Sequence, residues 1–100
     1  MITRIVKLHF QEDRIQDFLD FFETVKYKVA AFPNCHGMKL LQDIHQPNIV
    51  FTYSLWESED DLNIYRDSEL FSNVWPTIKP WFATKAEAWS VNEYFNGFPD

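Results

Sequence analysis

The stretch Ser54–Phe71, SLWESEDDLNIYRDSELF, changes its period twice within a few turns of chain. Ser54 to Trp56 closes an alternating run that begins at Ile49, the pattern of a half-buried strand. Ser58 then heads a segment with acids at Glu59, Asp60 and Asp61. The positive end of a helix favours such acids. A serine hydroxyl there can accept from the backbone N–H three residues on, and Asp61 at that position resembles a capping box. Ser68, with Glu69 behind it, repeats the arrangement. The chain therefore leaves a sheet at Trp56 and enters two serine-headed helical starts. Glu57, Glu59, Asp60 and Asp61 look like paired carboxylates, but their place marks them as a helix start. A large indole stands at the exit, and either a pocket or a core could require it.

Upstream, residues 2–10 alternate, with Ile2, Arg4, Val6, Leu8 and Phe10 on one side and Thr3, Ile5, Lys7 and His9 on the other. This predicts a first strand. A helix is predicted over residues 11–32, with Glu12 and Asp13 in its first turn and Pro33 ending it. Its buried stripe runs through Ile15, Phe18, Leu19, Phe22, Val25 or Lys26, and Val29 at 3–4 spacing. A second strand is predicted over Gly37–His45. The HQPN turn joins it to a third strand, Ile49–Glu57. After Ser68, Pro76 and Pro80 predict separate short turns, then a last strand over Ala83–Tyr94 and a tail from about residue 95. The order β-α-β-β-α-β predicts an α+β, ferredoxin-like fold: one antiparallel sheet with its helices on one face. All residues, 1–100, form one domain, since a chain of this length can bury a core unaided.

The faces of the sheet differ. In the third strand, Val50, Thr52, Ser54 and Trp56 oppose Ile49, Phe51, Tyr53 and Leu55. In the fourth, Thr84, Ala86, Ala88, Ser90 and Asn92 oppose Lys85, Glu87, Trp89 and Val91. Small groups under a helical layer leave space that large side chains must fill. A pocket is expected there, floored by Thr52, Ser54 and Ala88 and edged by Trp56; whether a void of roughly 300 Å³ or more exists under the helices is its test. The opposite face presents Phe51, Tyr53, Leu55 and Trp89, a patch unsuited to water. A two-fold partner sheet is the simplest cover.

Composition agrees. Aromatics make up 18% of the chain, with ten Phe, four Trp and four Tyr, the residue types favoured in ligand cavities and interfaces. The formal net charge of -6 and scattered basic residues argue against nucleic acid and anionic membranes as partners. No apolar run approaches the length of a membrane span. The alternating N-terminus lacks the form of a signal peptide. A single cysteine, Cys35, cannot form an internal disulfide, so a reducing, cytoplasmic setting is expected. Cys35 beside His36, with no other cluster, does not make a metal site, and no His–acid arrangement activates Cys35 as a nucleophile. Two glycines cannot form a phosphate cradle.

With the strand-ending Trp56, the acid-rich helix start, Tyr65 and Ser68-x-x-Phe71 in sequence, residues 1 to about 94 resemble the antibiotic biosynthesis monooxygenase-like family. The resemblance implies a dimeric α+β barrel, in which two ferredoxin-like domains pair sheet to sheet as a homodimer. It also implies one of several chemistries. The haem-degrading branch has a tryptophan at the position of Trp56. Its iron-ligating histidine falls at Trp75, however, and its first-strand asparagine at Thr3. An indole N–H is only a donor, so haem oxygenation is discounted and Trp75 becomes a ligand-lining residue. The remaining branch implies oxidation of an aromatic or quinol-type molecule without a cofactor. That chemistry needs a base, a donor for the developing oxyanion and a dry aromatic pocket. His9, placed on the pocket face, or His36 is the candidate base, and Trp56 and Ser54 are candidate donors, with Tyr53 or Tyr65 nearby. Lys7 could hold an acidic ligand or guard a strand edge. The alternative is a non-catalytic dimeric module that binds a small apolar ligand.

Overall fold

The computed structural model describes all of residues 1–100. The chain forms β1 (Ile2–His9), α1 (Ile15–Ala30), β2 (Cys35–Gln42), β3 (Ile49–Trp56), α2 (Glu59–Arg66), α3 (Glu69–Ile78), a 3-10 turn (Lys79–Trp81) and β4 (Glu87–Val91). The four strands make one antiparallel sheet in the order β2-β3-β1-β4. This is the ferredoxin-like α+β arrangement, with the second helical segment divided in two.

The division follows from two serine caps. Ser58 Oγ accepts from the Asp61 N–H at 3.2 Å and donates to Asp61 Oδ2 at 2.7 Å. Asp61 thus answers the serine hydroxyl where a capping-box acid would answer its backbone. Ser68 Oγ accepts from the Phe71 N–H at 3.2 Å and starts α3.

Several boundaries differ from the sequence expectation. α1 begins at Ile15, not Gln11. The Gln11 N–H is tied to the Trp81 carbonyl at 2.9 Å, and its side chain donates to the Pro80 and Phe82 carbonyls. These bonds hold Gln11 against the 80–82 segment, and residues 12–14 form a turn before the helix. Pro76 does not end α3, which continues to Ile78. Its missing N–H frees a carbonyl one turn back. That side of the helix, at Ser72, Asn73, Pro76 and Thr77, is exposed to water, while Phe71, Val74, Trp75 and Ile78 face inward. β2 starts earlier, at Cys35, through a bulge between Cys35 and Gly37, where Gly37 adopts φ 138°. β4 is shorter than expected: the chain touches β1 at the Phe10–Phe82 bridge and rejoins the ladder only at Glu87. Thr84 and Lys85 lie outside the strand.

The phase of the alternation holds. Val6, Leu8, Val50 and Ala86 lie on the helical side. Leu8, Phe10, Phe18, Val50 and Ile78 form the buried core, with Phe10 and Val50 fully buried. The Phe10 and Phe18 rings stack at 4.4 Å. The far face has no helical cover. Ile5, Phe51, Tyr53 and Leu55 are half-buried there, and Trp89 is 47% exposed. The tail adds exposed Tyr94, Phe95 and Phe98.

Candidate ligand cavity

Between the sheet and the helices lies a cavity of about 310 Å³. Its floor is set by strand register. Arg4 on β1 stands between Ser54 of β3 and Ser90 of β4. Val6, one step along the same face, stands between Thr52 and Ala88. Small side chains at these sites leave volume above the sheet. The roof comes from α1 through Phe18, Phe22 and Val25, from α2 through Leu62 and Tyr65, and from α3 through Phe71 and Trp75. Several of these rings pack against one another, and space remains between them and the small floor residues. Ala88 and Ser90 are exposed, which places the mouth of the cavity beside the edge strand β4.

The wall is largely apolar, and seven of its 21 residues are aromatic. Trp56 stacks on Tyr65 at 5.0 Å. Tyr65 meets Phe71 edge-on at 5.4 Å, Phe71 stacks on Trp75 at 5.7 Å, and Trp75 meets Phe82 at 5.5 Å. Offset-stacked and edge-to-face pairs of this kind hold ring positions as well as contributing area. Trp56 is 1% exposed and borders the cavity, so one indole serves as core and as pocket wall. Its Nε1–H donates to Ser54 Oγ at 2.9 Å. That bond occupies the only donor of the indole and leaves the serine its own proton to give. Ser54, not Trp56, is therefore the donor available to a ligand. The Tyr65 phenol is pushed up to about 12, first by burial and then by the nearby Cys35. It stays neutral at physiological pH and can donate.

Thr52, Ser54, Trp56, Ala88 and Trp75 all line this cavity. His9 does not. It pairs with Ile49 on the far side of the sheet, in a shallow polar recess with Lys7, Thr84, Lys85 and Glu87. One residue of phase separates the two faces, and His9 shares the phase of Ile5 and Lys7. The same register puts Tyr53 on the far face. His36 is exposed and pairs with Glu57 outside the cavity. Lys7 approaches Glu87 at 4.0 Å. No His, Cys, Lys, Asp or Glu lines the cavity; its ionisable groups are Arg4, Tyr65 and Arg66. The position of the haem-ligating histidine is Trp75, ring-packed between Phe71 and Phe82, and no imidazole or thiolate replaces it. The residues present do not fit haem.

Arg4 and Arg66 were absent from the candidates read in the sequence. Arg4 shares the alternation phase of Val6, and Arg66, although exposed, stands one helical turn after the buried Leu62 of α2. Those two spacings were the available signal. Arg4 Nη1 donates to Ser90 Oγ at 3.0 Å. Burial, and then the neighbouring Arg66, hold the Arg4 guanidinium below its ordinary value.

The chain belongs to the antibiotic biosynthesis monooxygenase family, whose sequence profile matches residues 1–74. Solved structures of similar shape cover almost the whole chain. One described as an antibiotic biosynthesis monooxygenase superposes with a TM-score of 0.87 at 18% identity, over 93% of this chain and 98% of its own. A conserved protein from Methanosarcina mazei Go1 gives 0.85 at 17% identity, over 93% of both chains. Rv0793 from Mycobacterium tuberculosis gives 0.86 at 10% identity, over 97% of this chain and 98% of its own. At such identities the likeness is one of fold. No functionally curated protein matches the chain.

Proposed function

We propose that the cavity binds a small aromatic or quinol-type molecule and that the protein oxidises it with dioxygen, without a bound cofactor. The observation that carries this reading is the 310 Å³ cavity walled by stacked aromatic side chains, in a chain of the monooxygenase family. In the overall reaction an activated ring methylene of the substrate meets dioxygen. The methylene carbon loses a proton, passes one electron to oxygen, and recombines with the reduced oxygen through a new C–O bond. Return of the proton to the outer oxygen gives a hydroperoxide. Loss of the remaining C–H proton and cleavage of the O–O bond then release water and leave a ketone. One oxygen atom enters the product and the other leaves as water. The positive charge of Arg4 and Arg66 would favour an anionic substrate, and the Tyr65 hydroxyl would donate to the developing oxyanion. The largely apolar lining strengthens both effects.

One observation favours a second reading, a binding module without turnover. No carboxylate, imidazole or amine lines the cavity to take the proton. Deprotonation would have to come from solvent at the mouth. Oxygen uptake with a panel of anthrones and hydroquinones separates the two. Uptake above buffer, lost on blocking the cavity, supports oxidation. Saturable binding without uptake supports the module.

We also propose that two copies pair through the open sheet face in the cytoplasm. The half-buried Phe51, Tyr53 and Leu55, with exposed Trp89, support this, because a contiguous apolar face is a recognised interface signal. The exposed aromatic tail lies in continuity with β4. Size-exclusion with light scattering tests it, and a stable monomer would contradict it.

A further inference from the structure

Acidic residues outnumber basic ones by fifteen to nine, and several cations have found a carboxylate: Lys7 with Glu87, Arg14 with Asp17, Lys26 with Glu23. Arg4 and Arg66 have none within salt-bridge reach, and both border the largely apolar cavity. The single side-chain hydrogen bond of Arg4 goes to Ser90, so most of its five N–H donors lack a protein acceptor. Two guanidiniums near one another, one of them partly desolvated, destabilise the empty site; burial and Arg66 both depress Arg4. An arriving anion would relieve the repulsion and supply the missing acceptors. The negative end of α2 accounts for Arg66 in its last turn, but it does not account for Arg4 in the middle of a sheet.

Polarity is distributed unevenly along the floor. Ser54, Arg4 and Ser90 form one cross-strand row, while Leu8 and Ile78 close the opposite end. A ligand that fits this gradient has a flat apolar body and one acidic end. Resting on the reading of the cavity as the ligand site, we propose that its ligand is an aromatic carboxylate, with the carboxylate held by Arg4 and Arg66 and the Ser54 hydroxyl as a third donor. The planar guanidinium fork matches a carboxylate in two parallel bonds. The neutral Tyr65 phenol borders the same site and does not repel the anion.

Calorimetric titration with 2-naphthoate and its uncharged methyl ester tests this. The acid is expected to bind roughly tenfold or more tightly than the ester, the scale of a charge-assisted bond. Raising the salt concentration should narrow that gap. Arg4→Met and Arg66→Gln should each shrink it by weakening the acid alone. Arg66 is exposed, so Arg66→Gln is expected to fold even where Arg4→Met does not, and thermal melts check both. An ester that binds as tightly as the acid overturns this inference and leaves the cavity reading standing. A gap unchanged in folded variants overturns the arginine assignment. Failure of both compounds to bind overturns the inference together with the reading it rests on.

Discussion

Replacing Trp56 by alanine removes the one side chain shared by core and cavity. Truncating a buried tryptophan costs about 3–5 kcal/mol, and Trp56 is 1% exposed. Of that, the stack on Tyr65 at 5.0 Å represents roughly 0.5–1.5 kcal/mol. Because the indole already borders an open space of about 310 Å³, water can enter the vacated volume, and the loss should fall near the lower bound, about 3 kcal/mol. A domain of this size has about 5–15 kcal/mol in total, so Trp56→Ala should fold but melt roughly 12–24 °C lower. Trp56→Phe keeps a ring against Tyr65 and removes the donor to Ser54. It should cost about 1–2 kcal/mol, mainly the lost hydrogen bond and a small void. Urea denaturation followed by circular dichroism measures both. If Trp56→Ala stays within about 1 kcal/mol of wild type, the indole is not core and the packing account fails. If Trp56→Phe is as damaging as alanine, the bond to Ser54 outweighs packing and the ranking of the two effects is reversed.

Other expected outcomes follow from the same geometry. Ala88→Phe should block the mouth of the cavity and abolish ligand binding while leaving the melting temperature within a few degrees, about what an exposed position allows; calorimetry and a melt decide it. His9→Gln should leave ligand affinity unchanged, because His9 lies on the far face; a marked loss in titration would contradict the placement. Ser58→Ala should destabilise the fold by about 1 kcal/mol by removing the cap of α2, read by urea midpoint. Tyr65 should resist ionisation up to about pH 12, seen as a delayed phenolate absorbance. Below pH about 10 both folded and unfolded chains keep this proton. Above it only the unfolded chain releases the proton, so stability should fall as pH rises through the window toward the folded value.

The fold was legible in the sequence because its signals were local and mutually consistent. The two serine caps, the alternation of Ile49–Trp56 and the 3–4 stripe of α1 each needed only neighbours along the chain. The boundaries that moved were decided by distant partners. Gln11 is tethered to the 80–82 segment, and Pro76 is tolerated because its side of α3 faces water. The lining of the cavity was legible where alternation alone decides it: Thr52, Ser54, Trp56 and Ala88 share one phase, and all four line it. His9 shows the opposite case, since it stands one residue out of phase with Leu8 and so on the other face. Arg4 went unread because a lone charge on a strand usually means a solvated side. Only the pairing with Ser54 and Ser90, and the approach of α2 overhead, make it part of an apolar pocket.

The central claim is that ligand enters under the helices while the bulky face of the sheet serves another purpose. Indole N–H resonances of 15N-labelled protein titrated with 2-naphthoate test it directly. The account predicts saturable shifts at Trp56 and Trp75, with Trp89 unmoved. Shifts confined to Trp89, or none at Trp56 and Trp75 at saturating ligand, would contradict it.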